Sequence, residues 1–338
     1  MSTDAVLREL LVRQLDHWLP AALHRARRAT LALAYAGGDA TGSEEALRVV
    51  AEFADRLRGR RLTVLVVADD GTDLATRLGA AEAALPADVA VHLVPGGPDR
   101  LPVALKAAGA AGAPLLTVAD GADPDPALLA AAASGRPAEL LLVTVPGRSL
   151  RPALSAAGFP LATEVELVPD GDAPARLLGY ATGSDKGLET VKEALWAVDE
   201  YAGVRYRDPA DPQGRLLDIS LEPEPGPLRR ELLAELARSG PRTVTELRRF
   251  ATTATVYRAA RRQTGAGLAA RLRRGDPRSR ARPARRGRAD QRRPERWVIC
   301  LTTIEAPVAT TPMLNTICAH TAMRRSGPGR VRRRSRQW

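Results

Sequence analysis

At 338 residues, with 45% hydrophobic and 26% charged residues, the chain has room for about two domains and is too apolar to be fibrous or disordered over most of its length. Its net charge of +11 would suit a nucleic-acid or anionic-membrane partner, but the charge is confined to one end. The stretch from Arg258 to Trp338 carries a net +18 and residues 1–257 a net −7, so the body is mildly acidic.

Helical spacing of Leu7, Leu10, Leu11, Leu15 and Trp18 predicts a first helix over about 4–27, with Pro20 either ending it or starting its continuation. The apolar run Thr30–Ala36, closed by Gly37-Gly38, reads as a buried parallel strand entering a tight turn. Residues 43–58 follow as an amphipathic helix with Ser43 as its expected N-cap. The pattern then repeats with strands at Leu62–Val67, Val89–Val94, Leu115–Ala119 and Glu139–Val145, and helices at Asp73–Leu85, Leu101–Ala108 and Pro126–Ala133. Such alternation predicts an α/β, doubly wound parallel sheet. Beyond Pro146 a weaker strand at Glu164–Val168 precedes a clearer unit: strand Leu177–Thr182, turn Gly183–Gly187, helix Leu188–Val198 and strand Val204–Arg207. These should complete one sheet of about seven strands within residues 28–207.

Glu222–Pro227 reads as an extended linker, which sets a first domain at 1–221. A small helical unit at 228–260 follows, with a helix over Leu228–Ala237, a turn at Ser239-Gly-Pro241, a capping box from Thr243 to Glu246 and a third helix from about Thr253. That is helix-turn-helix spacing. From Arg261 periodicity is lost, and 261–338 reads as a disordered basic low-complexity tail. Two origins stand for it: a frameshift in a GC-rich gene, or a genuine basic arm that binds nucleic acid through phosphates. Arginine dominates throughout, with Lys106, Lys186 and Lys192 the only lysines, which a GC-rich coding sequence explains as well as function does.

The two cysteines, Cys300 and Cys318, lie in the tail, so the body has no disulfide framework and no paired-cysteine metal knuckle. A reducing cytoplasm is the expected compartment. No apolar run reaches the ~20 residues of a membrane span, no membrane partner is expected, and Asp4 and Glu9 stand where a signal peptide would be basic and apolar.

Ligands of doubly wound sheets bind at the carboxyl ends of the strands. Gly37 and Gly38 after strand one could let a nucleotide or the methionine part of S-adenosylmethionine approach the backbone, or simply form a tight turn; the spacing is not that of a dinucleotide fingerprint. Asp69, at the end of strand two, could accept hydrogen bonds from ribose hydroxyls, or be a solvated turn carboxylate. Asp120, at the end of strand four, could orient a substrate amine or act as a base, or form an Asx turn with Gly121. His17, His24 and His92 assemble no nucleophilic triad, and no metal-binding spacing is present.

These residues resemble the three-Cys-motif partner (TcmP) family of bacterial proteins, with a methyltransferase-like Rossmann domain and a C-terminal winged helix, over about residues 4–258. Gly179-Tyr-Ala-Thr-Gly-Ser-Asp-Lys-Gly-Leu-Glu-Thr-Val-Lys-Glu-Ala-Leu-Trp-Ala-Val-Asp199 is similar to a family block in which a strand ends in Ala-Thr and the next helix reads Gly-Leu…Lys-Glu-Ala-Met-Trp…Val-Asp. Ala34-Tyr-Ala-Gly-Gly-Asp39 is similar to the family's strand-one turn, but with Leu33 in place of its acid and Gly38 and Asp39 in place of Pro and Gly. The family's strand-four Asp-Pro-Phe-Gly is reduced to Asp120-Gly-Ala-Asp123. The resemblance implies a weak or degenerate S-adenosylmethionine site, with Tyr35, Gly37, Gly38 and Asp69 holding cofactor and Asp120 catalytic, and a partner protein that supplies a three-cysteine, radical-enzyme-like motif. The alternatives are a non-catalytic partner subunit and a DNA-binding regulator acting through the C-terminal helix-turn-helix.

Overall fold

A computed structural model describes residues 3–37, 40–69, 72–169, 173–202, 204–217, 226–257, 298–300 and 318–319. The chain divides into two compact units, one of Met1–Glu231 with Arg248–Ala259, the other of Leu232–Leu247 with Ala260–Trp338. Among the described residues no helix is long and apolar enough to cross a membrane.

The first unit opens with α1 (Thr3–Arg25), which runs through Pro20 without ending there. Strands β1 (Arg28–Tyr35), β2 (Arg61–Ala68), β3 (Val89–Pro95), β4 (Leu115–Asp120) and β5 (Ala138–Thr144) alternate with α2 (Thr41–Glu52), the single turn α3 (Ala54–Leu57), α4 (Thr72–Glu82), α5 (Leu101–Ala107) and α6 (Pro126–Ala132). These strands lie in the order β3-β2-β1-β4-β5, all parallel, which is the Rossmann arrangement with its switch point between β1 and β4. The short helix α7 (Arg151–Ala156) then leads to β6 (Leu161–Pro169) and β7 (Arg176–Thr182), and α8 (Asp185–Ala202) leads to β8 (Val204–Arg207) and β9 (Leu216–Leu217).

The sheet has nine strands, continuing from β5 as β7-β6-β8-β9; eight of them fall within residues 28–207, where about seven were expected. Each of these added pairings is antiparallel, whereas β1–β5 pair in parallel as their alternation with helices predicts. For β6–β7 and β8–β9 the physical reason is connection length: a parallel neighbour needs a crossover of a dozen or more residues, and only short links join these strands.

Every residue of β1 after Arg28 is buried, yet its side chains still alternate between faces. Leu31, Leu33 and Tyr35 join one core cluster with residues of α1, α2 and α8. Ala32 and Ala34 join a second with residues of α5 and α6. Two cores on two faces are what a doubly wound sheet requires.

Local chemistry moves some boundaries. Helix α2 starts at Thr41, so Ser43 sits inside its first turn, where its Oγ donates to the Ala40 carbonyl at 2.5 Å; it is not the N-cap. Helix α8 starts three residues earlier than the spacing suggested, because Ser184 Oγ accepts the Gly187 amide at 3.1 Å and caps it.

The C-terminal helices are α9 (Gly226–Ser239) and α10 (Val244–Ala254), with β10 (Arg242–Thr243) before α10. The capping box forms reciprocally. The Glu246 amide donates to Thr243 Oγ1 at 3.2 Å, and Glu246 Oε2 accepts the Thr243 amide at 2.6 Å. In the second unit Leu236 and Leu247 pack with Leu232 and Val244. Strands β11 (Val298–Cys300) and β12 (Cys318–Ala319) complete an antiparallel three-stranded sheet β10-β11-β12. The third helix expected from about Thr253 does not start there, because Thr253 and Ala254 still belong to α10 and residues 255–257 form a bend; its remainder, most of the linker at 222–227 and nearly all of the basic tail lie outside the described residues.

Candidate functional site

The switch point places Tyr35 and Asp120 side by side, as register partners at the carboxyl ends of β1 and β4. The Ala36 amide donates to the Asp120 carbonyl at 2.8 Å, drawing the two strand exits together. Gly121 makes that approach feasible: its φ is +73°, and a Cβ there would lie 2.9 Å from the Ala36 Cβ. Tyr35 is buried, and its hydroxyl fills the space a side chain at Gly42 would need, at 2.9 Å from an added Cβ.

Between these exits and the start of α1 lies a cavity of about 230 Å3. Its floor is apolar, from Leu7, Leu11, Val118, Leu141 and Val143. Its polar walls carry both signs of charge, from Asp4, Arg8, Asp120 and Arg176. Arg176, at the start of β7, ion-pairs with Asp120, and its other terminal nitrogen lies 3.3 Å from Asp4. Arg8 donates to Thr41 Oγ1 at 3.1 Å and lies 3.7 Å from Glu45.

Of the residues singled out in the sequence, Tyr35, Gly37 and Asp120 line this cavity. Asp69 does not: it stands one residue beyond β2, is exposed, and is absent from the lining. Gly38 lies outside the described residues. The Asp120 carboxylate is engaged by the Arg176 guanidinium. Arg8 and Arg176 were not legible in advance, because one is a surface position of α1 and the other starts a strand far along the chain.

Two buried polar groups were also missed. Glu139, at the start of β5, accepts from Gln14 Nε2 at 2.6 Å and from the Tyr180 hydroxyl at 2.7 Å, both on Oε2. Burial raises its carboxyl pKa, against the opposing hydrogen bonds of Tyr180 and Gln14. Burial, and then the Glu139 charge, holds the Tyr180 phenol well above its ordinary range. Lys192, on α8, is 1% exposed. Its Nζ donates to the carbonyls of Thr255 and Tyr257, and Arg151 likewise donates to the Thr253 carbonyl. Desolvation, with the Arg151 charge adding to it, lowers the Lys192 ammonium to about 7. The block Gly179–Asp199 thus has a structural use: Lys192 holds the carbonyls at 255 and 257, and the Trp196 ring lies 6.3 Å from that of Tyr257.

Among the described residues no cluster of His, Cys, Asp and Glu could hold a metal ion. His17, on α1, has its pKa lowered by burial first and then by Lys186 and Arg25, and it lies away from the cavity.

No protein-family profile matches the chain and no curated protein matches it. Solved structures with a likeness to it include EvdMO1, at 15% identity and TM-score 0.33, covering 54% of this chain; this chain spans 42% of the length of EvdMO1. A precorrin-6Y C5,15-methyltransferase from Geobacter metallireducens GS-15 aligns at 14% identity and TM-score 0.28, over 49% of this chain and 87% of its own. Sp1610 of Streptococcus pneumoniae, a candidate tRNA (m1A22) methyltransferase, aligns at 14% identity and TM-score 0.27, over 68% of this chain and 91% of its own.

Proposed function

We propose that this chain is a partner subunit of the three-Cys-motif kind, in which a methyltransferase-like Rossmann sheet carries a degenerate S-adenosylmethionine site and a separate protein supplies the three cysteines. The observation that carries the degenerate-site reading is the ion pair between Arg176 and Asp120 in the switch-point cavity; the partner role rests on the similarity of the block Gly179–Asp199 to the family. A nucleoside cofactor needs a carboxylate for its ribose and space for its base. Here Asp69 lies outside the cavity, Asp120 is engaged by a cation, and about 230 Å3 falls below the ~300–1,000 Å3 of drug-sized ligand pockets. The described residues therefore do not fit S-adenosylmethionine.

A DNA-regulator reading through α10 is less favoured, because Arg248 pairs with Glu189 at 2.9 Å and Arg249 with Asp185 at 3.1 Å, which occupies two of the cations that phosphates would use.

Calorimetric titration of the full chain with S-adenosylmethionine and S-adenosylhomocysteine tests the proposal. Dissociation constants of about 1 mM or weaker are expected for both. Micromolar binding of either would restore a working cofactor site and overturn the degenerate reading. Co-purification with a three-cysteine protein encoded beside it is the expected result for the partner role.

A further inference from the structure

We infer that the entry end of strands β1 and β2 is a docking surface for single-stranded nucleic acid, with Arg27, Arg28, Arg56 and Arg61 on its phosphates and one base seated in the hollow between α1 and α3. This end of the sheet is opposite the strand exits, so the inference stands apart from the switch-point cavity and from the cofactor question.

Charge supplies the first argument. The segments 24–28 and 56–61 hold seven arginines and no acidic residue, inside a body of net −7. They are distant in sequence but joined in space: the Arg61 amide donates to the Arg27 carbonyl at 2.7 Å, and Arg28 and Arg61 are register partners on neighbouring strands. Two of the other arginines have local partners. Arg60 donates to the carbonyls of Leu23 and Ala26, the latter at 3.0 Å, and so satisfies the end of α1. Arg58 lies 3.2 Å from Asp55, with both side chains largely exposed, a pairing that water and salt weaken. Arg27, Arg28, Arg56 and Arg61 are exposed, and none of them pairs with a carboxylate among the described residues. Asp88, whose carbonyl accepts the Leu62 amide at 3.0 Å at the same end of the sheet, makes no ion pair with them either. Like charges held side by side repel, and the acidic body repels a polyanion elsewhere, which focuses its approach on this edge. A compact anion meets one or two of these cations; a phosphate chain can meet all four.

Shape supplies the second argument. Beside the arginines a hollow of about 360 Å3 is lined by Pro20, Leu23, His24, Arg56 and Arg60. The Arg56 guanidinium carbon lies 5.6 Å from the centre of the Phe53 ring, a cation–π contact that holds it in place. Bases lie flat on guanidinium planes and on histidine rings, and an unpaired strand has base faces to offer. A duplex keeps its bases stacked and an acidic peptide has no such face, so the hollow favours a single strand among polyanions. Contacts to phosphate and to a base face do not read the sugar, so RNA and DNA strands should bind alike.

The test uses the full chain with labelled oligo(U) and oligo(dT) of about 20 nucleotides, longer than a typical single-strand footprint, titrated between about 50 and 200 mM salt. Residues beyond Arg258 add cations common to wild type and variants, so the differences carry the result. The triple variant Arg27→Gln, Arg28→Gln, Arg61→Gln should weaken binding at least tenfold at the lower salt and flatten the slope of log affinity against log salt by about 2, at about 0.7 for each lost phosphate contact. Lysine at the same three positions should restore the slope. His24→Ala should weaken binding about fivefold or more with the slope unchanged. Photocross-links from oligo(U) carrying 4-thiouridine should fall within 20–28 and 53–61, and this map stands in should the glutamine variant fail to fold.

An unchanged slope in the triple glutamine variant overturns the inference, as do cross-links confined to residues beyond Arg258. Unchanged affinity in His24→Ala removes the seated base and with it the single-strand reading. A poly-glutamate peptide that loses as much affinity to the triple variant as the oligonucleotides do marks a plain polyanion surface and overturns it too.

Discussion

Asp120 and Glu139 are carboxylates on adjacent strands at opposite ends of the sheet, with Asp120 opposite Val143 and Glu139 opposite Leu116 in the register of β4 and β5. Asp120 faces a cavity, is 24% exposed at its side chain, and is matched by a guanidinium. Glu139 is buried and accepts hydrogen bonds from the neutral Gln14 and Tyr180, with the charge of Arg25 the weakest of the influences on it. The cations divide the same way: Arg176 shares the cavity with its carboxylates, whereas Lys192 is buried on backbone carbonyls. The difference teaches which polar groups remain exchangeable. Where charge is compensated and water is near, losing a partner costs the fold little. Where a polar group is buried among neutral partners, removing one leaves an unmet desolvation penalty, and the group serves the fold.

The largest effect should come from Lys192. Its folded-state pKa of about 7 lies below its ordinary value of 10.5, so between these values the unfolded chain binds more protons and stability rises with pH. Denaturant melts at pH 7 and pH 10 should show a gain on the order of a few kcal/mol that Lys192→Met lacks. An identical pH profile in wild type and variant would contradict the buried-cation side of the comparison.

Tyr180→Phe should come next, costing ~1–3 kcal/mol because buried Glu139 loses a donor. If it cost no more than an exposed substitution, Glu139 would have to be hydrated, and the contrast with Asp120 would collapse. Glu139→Gln should be milder, within about 1 kcal/mol at neutral pH, since an amide oxygen can accept the same two hydrogen bonds without the burial of charge. Its signature is in acid. The raised pKa of Glu139 means that the folded state takes up the proton first, so wild-type stability gains from this group as pH falls from neutral through the raised pKa towards the ordinary value of 4.5. The Gln variant should show no such gain. The smallest effect belongs to Asp69→Asn, which should leave stability within about 0.5 kcal/mol; a loss of nucleoside binding on this change would return Asp69 to a ribose role.

The sequence by itself determined the parallel half of the sheet. Short apolar runs such as Leu62–Val67 and Leu115–Ala119, separated by amphipathic helices, have only one compact arrangement that buries both faces of each strand. It also determined the capping box at Thr243 and Glu246, a contact spanning three residues. Tyr35, Gly37 and Asp120 were legible as a group because the switch-point rule needs only strand order and strand ends. What tertiary structure decided lies at long sequence separation. Arg176 meets Asp120 across 56 positions, and Gln14 meets Glu139 across 125. Lys192 reaches the Thr255 carbonyl across 63. No local period encodes such pairs. The antiparallel turn of β6 and β7 brings Arg176 to the cavity, and burial, set by every element packed around a side chain at once, separates the carboxylate that a ligand can reach from the one that only the fold uses.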